Sequence, residues 1–273
     1  MSTRAHRRAR TTRGLAIGAV IALIGLFGAT APAYAAPPTT PVERYVALGD
    51  SYAAGQGSGT PLDACNRTTA AYPALIDAQP RTNLLRNAAC SGATIADVAA
   101  TQLSQVNKGT TLVTITVGAN DLAPGAVYAA CYLADLSQAC ADAGAHVAAV
   151  LQGDALNNGI RDLVLAVAKR APNARIVVTD YPIPFVDSNV WLNEQVNDAT
   201  LALDLKIAQG VAAAGAAGAK VSLASVAGAF WGHQIGDPTP FLGADISNPV
   251  TFLHPTADGQ AIYRSAILAA LAG

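Results

Sequence analysis

Charge and aromatic side chains are both scarce in this 273-residue chain, at 13% and 5% of the residues. Soluble domains usually carry about twice that share of charge. So few Lys and Arg, with no basic patch interleaved by aromatics, argues against a nucleic-acid partner. Cysteine is limited to Cys65, Cys90, Cys131 and Cys140, and no CxxC or HxxxH spacing occurs, so a zinc site is a poor reading. Long apolar runs are missing too. The one candidate, Leu15 to about Ala29, falls short of the ~20 residues that span a bilayer.

What is present begins with a leader. Arg4, Arg7, Arg8, Arg10 and Arg13 form a basic n-region ahead of that apolar stretch, and Ala33-Tyr34-Ala35 fits the small-x-small cleavage rule. Residues 1–35 therefore read as a signal peptide cleaved after Ala35, in preference to an uncleaved anchor. Arg10 stands where the twin-arginine signal prefers an apolar residue, so the general secretory route is expected. Residues 36–41 form a Pro/Thr linker, and residues 42–273 one domain of sufficient length for a substantial core. The mature chain keeps 12 basic and 18 acidic residues, a formal charge of −6, which suits a soluble exported protein. Four cysteines in an exported chain read as two disulfides. Three pairings are possible, and the sequential one, Cys65–Cys90 and Cys131–Cys140, is the economical choice. It would close loops worth about 3.5 and 2.7 kcal/mol by chain entropy.

The domain alternates strands and helices. Strands are expected at Val42 to Leu48, Asn83 to Ala89, Thr111 to Val117, Arg175 to Asp180 and Ala219 to Ala224, the third β-branched almost throughout. Helices are expected at Thr94 to Val106, with Thr94 and Asp97 in a loose capping-box pattern, and, more weakly, at Asp121 to Tyr132. Others follow at Ala145 to Arg170, interrupted near Gly153 or Gly159, at Asn193 to Ala214, and at Thr256 to Ala270. Gln56 to Tyr72 and the Cys131–Cys140 interval read as loops. This alternation implies a parallel sheet with helices on both faces.

The first strand runs into Gly49-Asp50-Ser51, which presents a serine at the carboxyl end of the sheet, where ligands bind in open α/β folds. Asp-Ser before an apolar segment is also an ordinary helix cap. Three further segments favour chemistry. Asn120 follows the third strand and lies at the same edge. Gly92, in Cys90-Ser91-Gly92-Ala93-Thr94, offers an unobstructed backbone N–H. His254-Pro255 sits just before the last helix, where a loop folds back over that edge. A hydroxyl, an imidazole and donors for an oxyanion are what acyl transfer needs.

Gly49-Asp50-Ser51, Gly92, Gly118-Ala119-Asn120-Asp121 and His254-Pro255 resemble, in order and across almost the whole mature chain, four blocks of the SGNH (GDSL) hydrolases. Asn87 to Thr94 and Trp231-Gly232-His233 resemble the secreted actinobacterial esterases and lipases of that family. The resemblance implies a flavodoxin-like three-layer α/β/α sandwich with a five-stranded parallel sheet. It also implies cofactor-free ester hydrolysis, with no metal, by Ser51 and His254, the oxyanion held by the Ser51 N–H, Gly92 and Asn120. No GxSxG occurs, so the chain does not look like an ordinary α/β-hydrolase. It departs from the family at Thr251, where many members place an acid three residues before the histidine. A Ser51–His254 dyad is therefore expected, with a backbone carbonyl near Thr251 orienting the ring. A third bridge found in some relatives is absent.

The expectation is a secreted monomeric esterase or lipase acting on ester or lipid substrates, with no permanent membrane anchor. The alternatives are the same machinery as a phospholipase, thioesterase or polysaccharide O-acetylesterase, or a binding module without catalysis. Other polar residues read as supporting. Asp50 shapes its turn, Asp121 braces the Asn120 loop, Asp258 caps the last helix, His233 is structural or cleft-lining, and His146 is exposed. Trp191, Trp231, Phe230 and Phe241 line an acyl site or pack the core.

Overall fold

The computed structural model describes residues 41–132 and 138–273. The leader and its cleavage site, most of the linker and the middle of the Cys131–Cys140 interval lie outside these. Five parallel strands form one sheet: β1 (Glu43–Gly49), β2 (Thr82–Asn87), β3 (Leu112–Thr116), β4 (Arg175–Thr179) and β5 (Val221–Ala224), in the order β2-β1-β3-β4-β5. All four pairings are parallel, and β1 and β3 lie side by side from Tyr45↔Leu112 to Gly49↔Thr116. The chain leaves β1 toward β2 on one side and returns to β3 on the other, which opens a crevice at the carboxyl ends of β1 and β3.

The helices are α1 (Ser51–Ala54), α2 (Tyr72–Asp77), α3 (Ile95–Asp97), α4 (Pro124–Val127), α5 (Gln138–Gln152), α6 (Ala155–Arg170), α7 (Trp191–Ala216) and α8 (Ala257–Ala272). Alternating strand residues send Val46, Leu48, Val113, Ile115, Ile176 and Val178 to one face. There they pack on Ile160 and Val164 of α6 and Leu203 and Ile207 of α7. Tyr45, Ala47, Leu112 and Val177 point to the other face, against Tyr72 and Ile76 of α2 and Tyr263 and Ile267 of α8. Burial on both sides is why the central strands read as continuous apolar runs. Threonines interrupt those runs without exposing them. Thr114 meets the Tyr45 hydroxyl at 2.6 Å, and Thr116 meets the Tyr72 hydroxyl at 2.9 Å and Thr179 at 2.7 Å, so these buried hydroxyls are bonded to one another.

Several boundaries differ from those expected. α5 starts at Gln138, seven residues before Ala145, and the helix pair breaks at Gly153 while Gly159 stays inside α6. α2 has no periodic signal, and Pro73 in its first turn is what favours it. The expected Thr94 to Val106 helix is α3, a π-turn at Val98–Gln102 and a 3₁₀ turn at Leu103–Gln105, behind a complete Thr94/Asp97 capping box. The N-cap of α8 is Thr256, whose hydroxyl accepts the Gly259 N–H, rather than Asp258. Among the described residues no helix is long and apolar enough to cross a membrane.

Candidate active site

The Ser51 turn grows out of β1. Gly49 sits at φ 138°, and a Cβ there would lie 2.2 Å from the Thr116 carbonyl oxygen, so only glycine brings the turn this close to β3. The Asp50 N–H donates to that same carbonyl at 2.9 Å. Asp50 then caps α1, its Oδ1 accepting the Tyr52 N–H at 2.9 Å, while the Tyr181 hydroxyl donates to its Oδ2 at 2.5 Å. Burial pushes the Asp50 carboxyl up to about 7 against the opposing pull of these bonds. Ser51 opens the helix, 7% exposed. Its N–H belongs to the first turn, which has no intrahelical partner.

The histidine arrives from the far end of the chain. His254 Nε2 lies 2.9 Å from Ser51 Oγ, and Nδ1 lies 3.1 Å from the Phe252 carbonyl. The second contact makes Nδ1 the protonated nitrogen and leaves Nε2 to accept from the serine. Phe252 adjoins Thr251, near which an orienting carbonyl was expected, and the Thr251 carbonyl itself takes the His254 backbone N–H at 2.9 Å. Burial lowers the imidazole to about 4, opposed by the Phe252 carbonyl. The Tyr52 hydroxyl donates to the Leu253 carbonyl at 2.5 Å, and the Gln56 amide donates to the Val250 carbonyl at 2.9 Å. Among the described residues no carboxylate touches the ring. Asp258 is exposed, and Asp237 accepts the Gln234 N–H.

Gly92 occupies a tight turn closed by the Ala93 N–H on the Cys90 carbonyl, with φ 83° and nothing within 4 Å of where a Cβ would stand. That turn is tied to the Ser51 turn by the Cys90 N–H on the Gly49 carbonyl at 3.0 Å, and to the loop that carries Cys65 by the Cys65–Cys90 disulfide. The Asn120 Nδ2 donates to the Ala93 carbonyl at 3.1 Å, and Asp121 Oδ2 accepts the Ile95 N–H at 3.1 Å. Gly92 and Asn120 thus share one braced loop pair beside the Ser51 turn. Cys131 pairs with Cys140.

The aromatic candidates separate. Phe230 is fully buried in the core, whereas Trp191 and Trp231 are more than half exposed. His233 stacks on Phe241, its Nδ1 2.9 Å from the Thr239 carbonyl, away from Ser51 and His254, and His146 is exposed. A groove of about 520 Å³ lies behind Asp121, lined by Ile95, Val150, Leu156 and Leu163, and neither Ser51 nor His254 opens onto it. Sequence reasoning missed Gln102, Tyr181 and Gln56, which bond to the turn and the histidine segment. Among the described residues, no three His, Cys, Asp or Glu side chains group as a metal would require.

A crevice at a strand-order reversal, with a buried hydroxyl bonded to an imidazole beside a braced amide loop, has counterparts. Residues 47–262 match the model of the GDSL-like lipase/acylhydrolase family. The chain is 36% identical to a lipase of Streptomyces rimosus, covering 94% of this chain and 95% of that one. The crystal structure of an extracellular lipase from the same species superposes with a TM-score of 0.74 at 34% identity, over 84% of this chain and 99% of that chain. A phospholipase A1 from Streptomyces albidoflavus superposes with a TM-score of 0.76 at 29% identity, over 84% of this chain and 99% of that chain.

Proposed function

The chain belongs to the GDSL-like lipase/acylhydrolase family and is a carboxylic ester hydrolase, and from that premise we propose that Ser51 and His254 perform the hydrolysis as a dyad. The observation that carries the reading is the 2.9 Å contact between His254 Nε2 and Ser51 Oγ.

Ser51 Oγ attacks the ester carbonyl carbon while its proton passes to Nε2. The carbonyl oxygen becomes an oxyanion and takes hydrogen bonds from the Ser51 N–H, the Gly92 N–H and the Asn120 amide. Collapse expels the alcohol, which receives the proton from Nε2, and leaves the acyl group on Ser51. Water then attacks the acyl carbon, gives its proton to Nε2, and the acid departs as the proton returns to Ser51. The Phe252 carbonyl holds Nδ1–H throughout, so the ring keeps one tautomer without a carboxylate.

The reading extends to the whole chain. Residues 1–35 are a cleaved export signal, 36–41 a linker and 42–273 the catalytic domain. The product is a secreted esterase or lipase without a membrane anchor, working as a monomer. Two disulfides suit the oxidising exterior. Phospholipids are a second substrate class, favoured by the superposition on a phospholipase A1.

The test is a panel of p-nitrophenyl acyl esters of increasing chain length with a phosphatidylcholine arm, wild type against Ser51→Ala. Turnover in the wild type and none in the folded variant is expected. Wild-type rates in folded Ser51→Ala would refute the assignment.

A further inference from the structure

We propose that Gln102 is a positioning residue for Ser51, acting through a two-point clasp on the backbone of Gly49. The proposal rests on Ser51 being the nucleophile.

Gln102 is buried, 3% exposed, and both the oxygen and the nitrogen of its amide are engaged. Its Oε1 accepts the Gly49 N–H at 2.8 Å, and its Nε2 donates to the Gly49 carbonyl at 2.8 Å. That reciprocal pattern is the one a neighbouring peptide makes. The geometry explains why a side chain supplies it here. On the β3 side the turn is held by the Asp50 N–H on the Thr116 carbonyl. On the β2 side the last regular rung is the Ala88 N–H on the Ala47 carbonyl, after which the chain bends into the Gly92 turn. The Cys90 N–H still reaches the Gly49 carbonyl, but no backbone acceptor remains for the Gly49 N–H. Gln102 fills the missing rung.

The helix that delivers Gln102 is deformed to do so. Val98–Gln102 is a π-turn, closed by the Leu103 N–H on the Val98 carbonyl, with α3 before it and a 3₁₀ turn after it. An inserted residue of this kind rotates the side chains that follow, and such turns gather at functional sites. Thr94 and Asp97 fix the start of the segment, and Asp121 receives its Ile95 N–H. The Gln102 clasp therefore relates the nucleophile turn to the segment that follows Gly92 and Ala93. Satisfying two buried backbone groups would by itself be a stabilising role. The clasp goes further because Gly49 has no freedom left. With Thr116 against its Cα and Gln102 on both its polar groups, the orientation of the 49–50 peptide is set, and Ser51 is one residue beyond it.

The experiment compares Gln102→Leu, Gln102→Glu and Ser51→Ala with wild type on p-nitrophenyl butyrate, with circular dichroism confirming the fold. Gln102→Leu should lower kcat about 10²-fold, as a misplacement near 1 Å does, with KM within threefold. Gln102→Glu keeps the shape. While protonated, the introduced carboxyl both accepts the Gly49 N–H and donates to the Gly49 carbonyl, and once ionised it can only accept. Its kcat relative to wild type should approach one near pH 5 and fall at least about tenfold by pH 8. The titratable groups around the turn, Asp50, Tyr52, Asp121, Tyr181 and His254, and Asp97 on the segment carrying Gln102, are common to both proteins, so the ratio isolates what the introduced carboxyl changes. The folded fraction is read by circular dichroism at each pH and kcat is taken per folded molecule, so a purely structural role leaves that ratio flat. The proposal is overturned by a wild-type kcat in folded Gln102→Leu or by a ratio that stays constant from pH 5 to 8. If Gln102→Leu does not fold, the ratio decides. Turnover by Ser51→Ala would remove the nucleophile reading and this one with it, whereas an inactive Ser51→Ala beside unaffected Gln102 variants would remove this one alone.

Discussion

Ser51 and His254, the proposed dyad, are held by different means. Ser51 stands on a turn locked into the sheet, with Thr116 and Gln102 on the Gly49–Asp50 backbone and Tyr181 on the Asp50 carboxyl. His254 stands on a loop, held by the Phe252 carbonyl on its ring, by Tyr52 and Gln56 on neighbouring carbonyls, and by the packing of Phe252 against Tyr128 and Tyr132. That loop carries the exposed Ile246 and Val250, and its Leu253 sits at φ 64°. One region fixes its group by bonds to the backbone and carboxyl of the turn that carries it, the other by a main-chain carbonyl on the ring and by side chains bonded to the loop's carbonyls. On the proposed roles, the nucleophile depends on bonds to its turn, while the base depends on a carbonyl of its own loop and, among the described residues, on no carboxylate at the ring.

The comparison makes its strongest demand on the reacting atoms, which should count equally in both regions. His254→Ala should lower kcat/KM by about 10⁴-fold or more, as Ser51→Ala does, measured on a short acyl ester. A loss under a hundredfold would place the base elsewhere. Asn120→Ala, on the braced side, comes next, with a loss of roughly 10²–10³ in kcat. A change confined to KM would mean that Asn120 binds substrate without meeting the oxyanion.

Smaller effects sharpen the histidine side. A base must be neutral to take the serine proton, and burial lowers this imidazole to about 4. The acid limb of kcat/KM should therefore lie near pH 4. A histidine titrating near 6.5 would lose about thirtyfold by pH 5, so a profile falling from 6.5 would show the ring to be solvated or paired with an acid. Smallest of all, Asp237→Asn and Asp258→Asn should each cost less than about tenfold in kcat/KM, ~1.4 kcal/mol, because neither carboxylate reaches the ring. A loss of about 10⁴-fold in either would identify a third member and end the contrast between the regions.

How much of this was legible from residues alone follows the same division. β3 and β4 could be read from β-branched runs buried on both faces, and the Thr94 cap from Thr and Asp at their usual spacing. Ser51, Gly92, Asn120 and His254 were legible as types in a known order, and the fold brings them to one edge. Gln102 was not, because a lone glutamine in an alanine-rich helical stretch looks like any solvated residue. Only the π-turn, which has no sequence signature, aims it at Gly49. The Phe252 carbonyl was invisible for a deeper reason. Every residue carries a carbonyl, so composition cannot say which one a ring will meet. α5 began early because Gln138 to Gly144 has little apolar periodicity, and helix there depends on alanine content and tertiary packing.

The Cys65–Cys90 bridge also bears on the order in which the protein assembles. β1 and β2 are parallel, so their pairing waits on the closure of a long crossover, the slow kind of contact. Cys65 lies within that crossover and Cys90 just past β2, so once the thiols are joined the path between the strand ends is roughly halved. By loop-closure entropy a halving is worth only about 0.6 kcal/mol. Its weight is in timing and place. The link shortens the path by which the Gly92 turn comes beside Gly49, and it can do so only in a compartment where thiols oxidise.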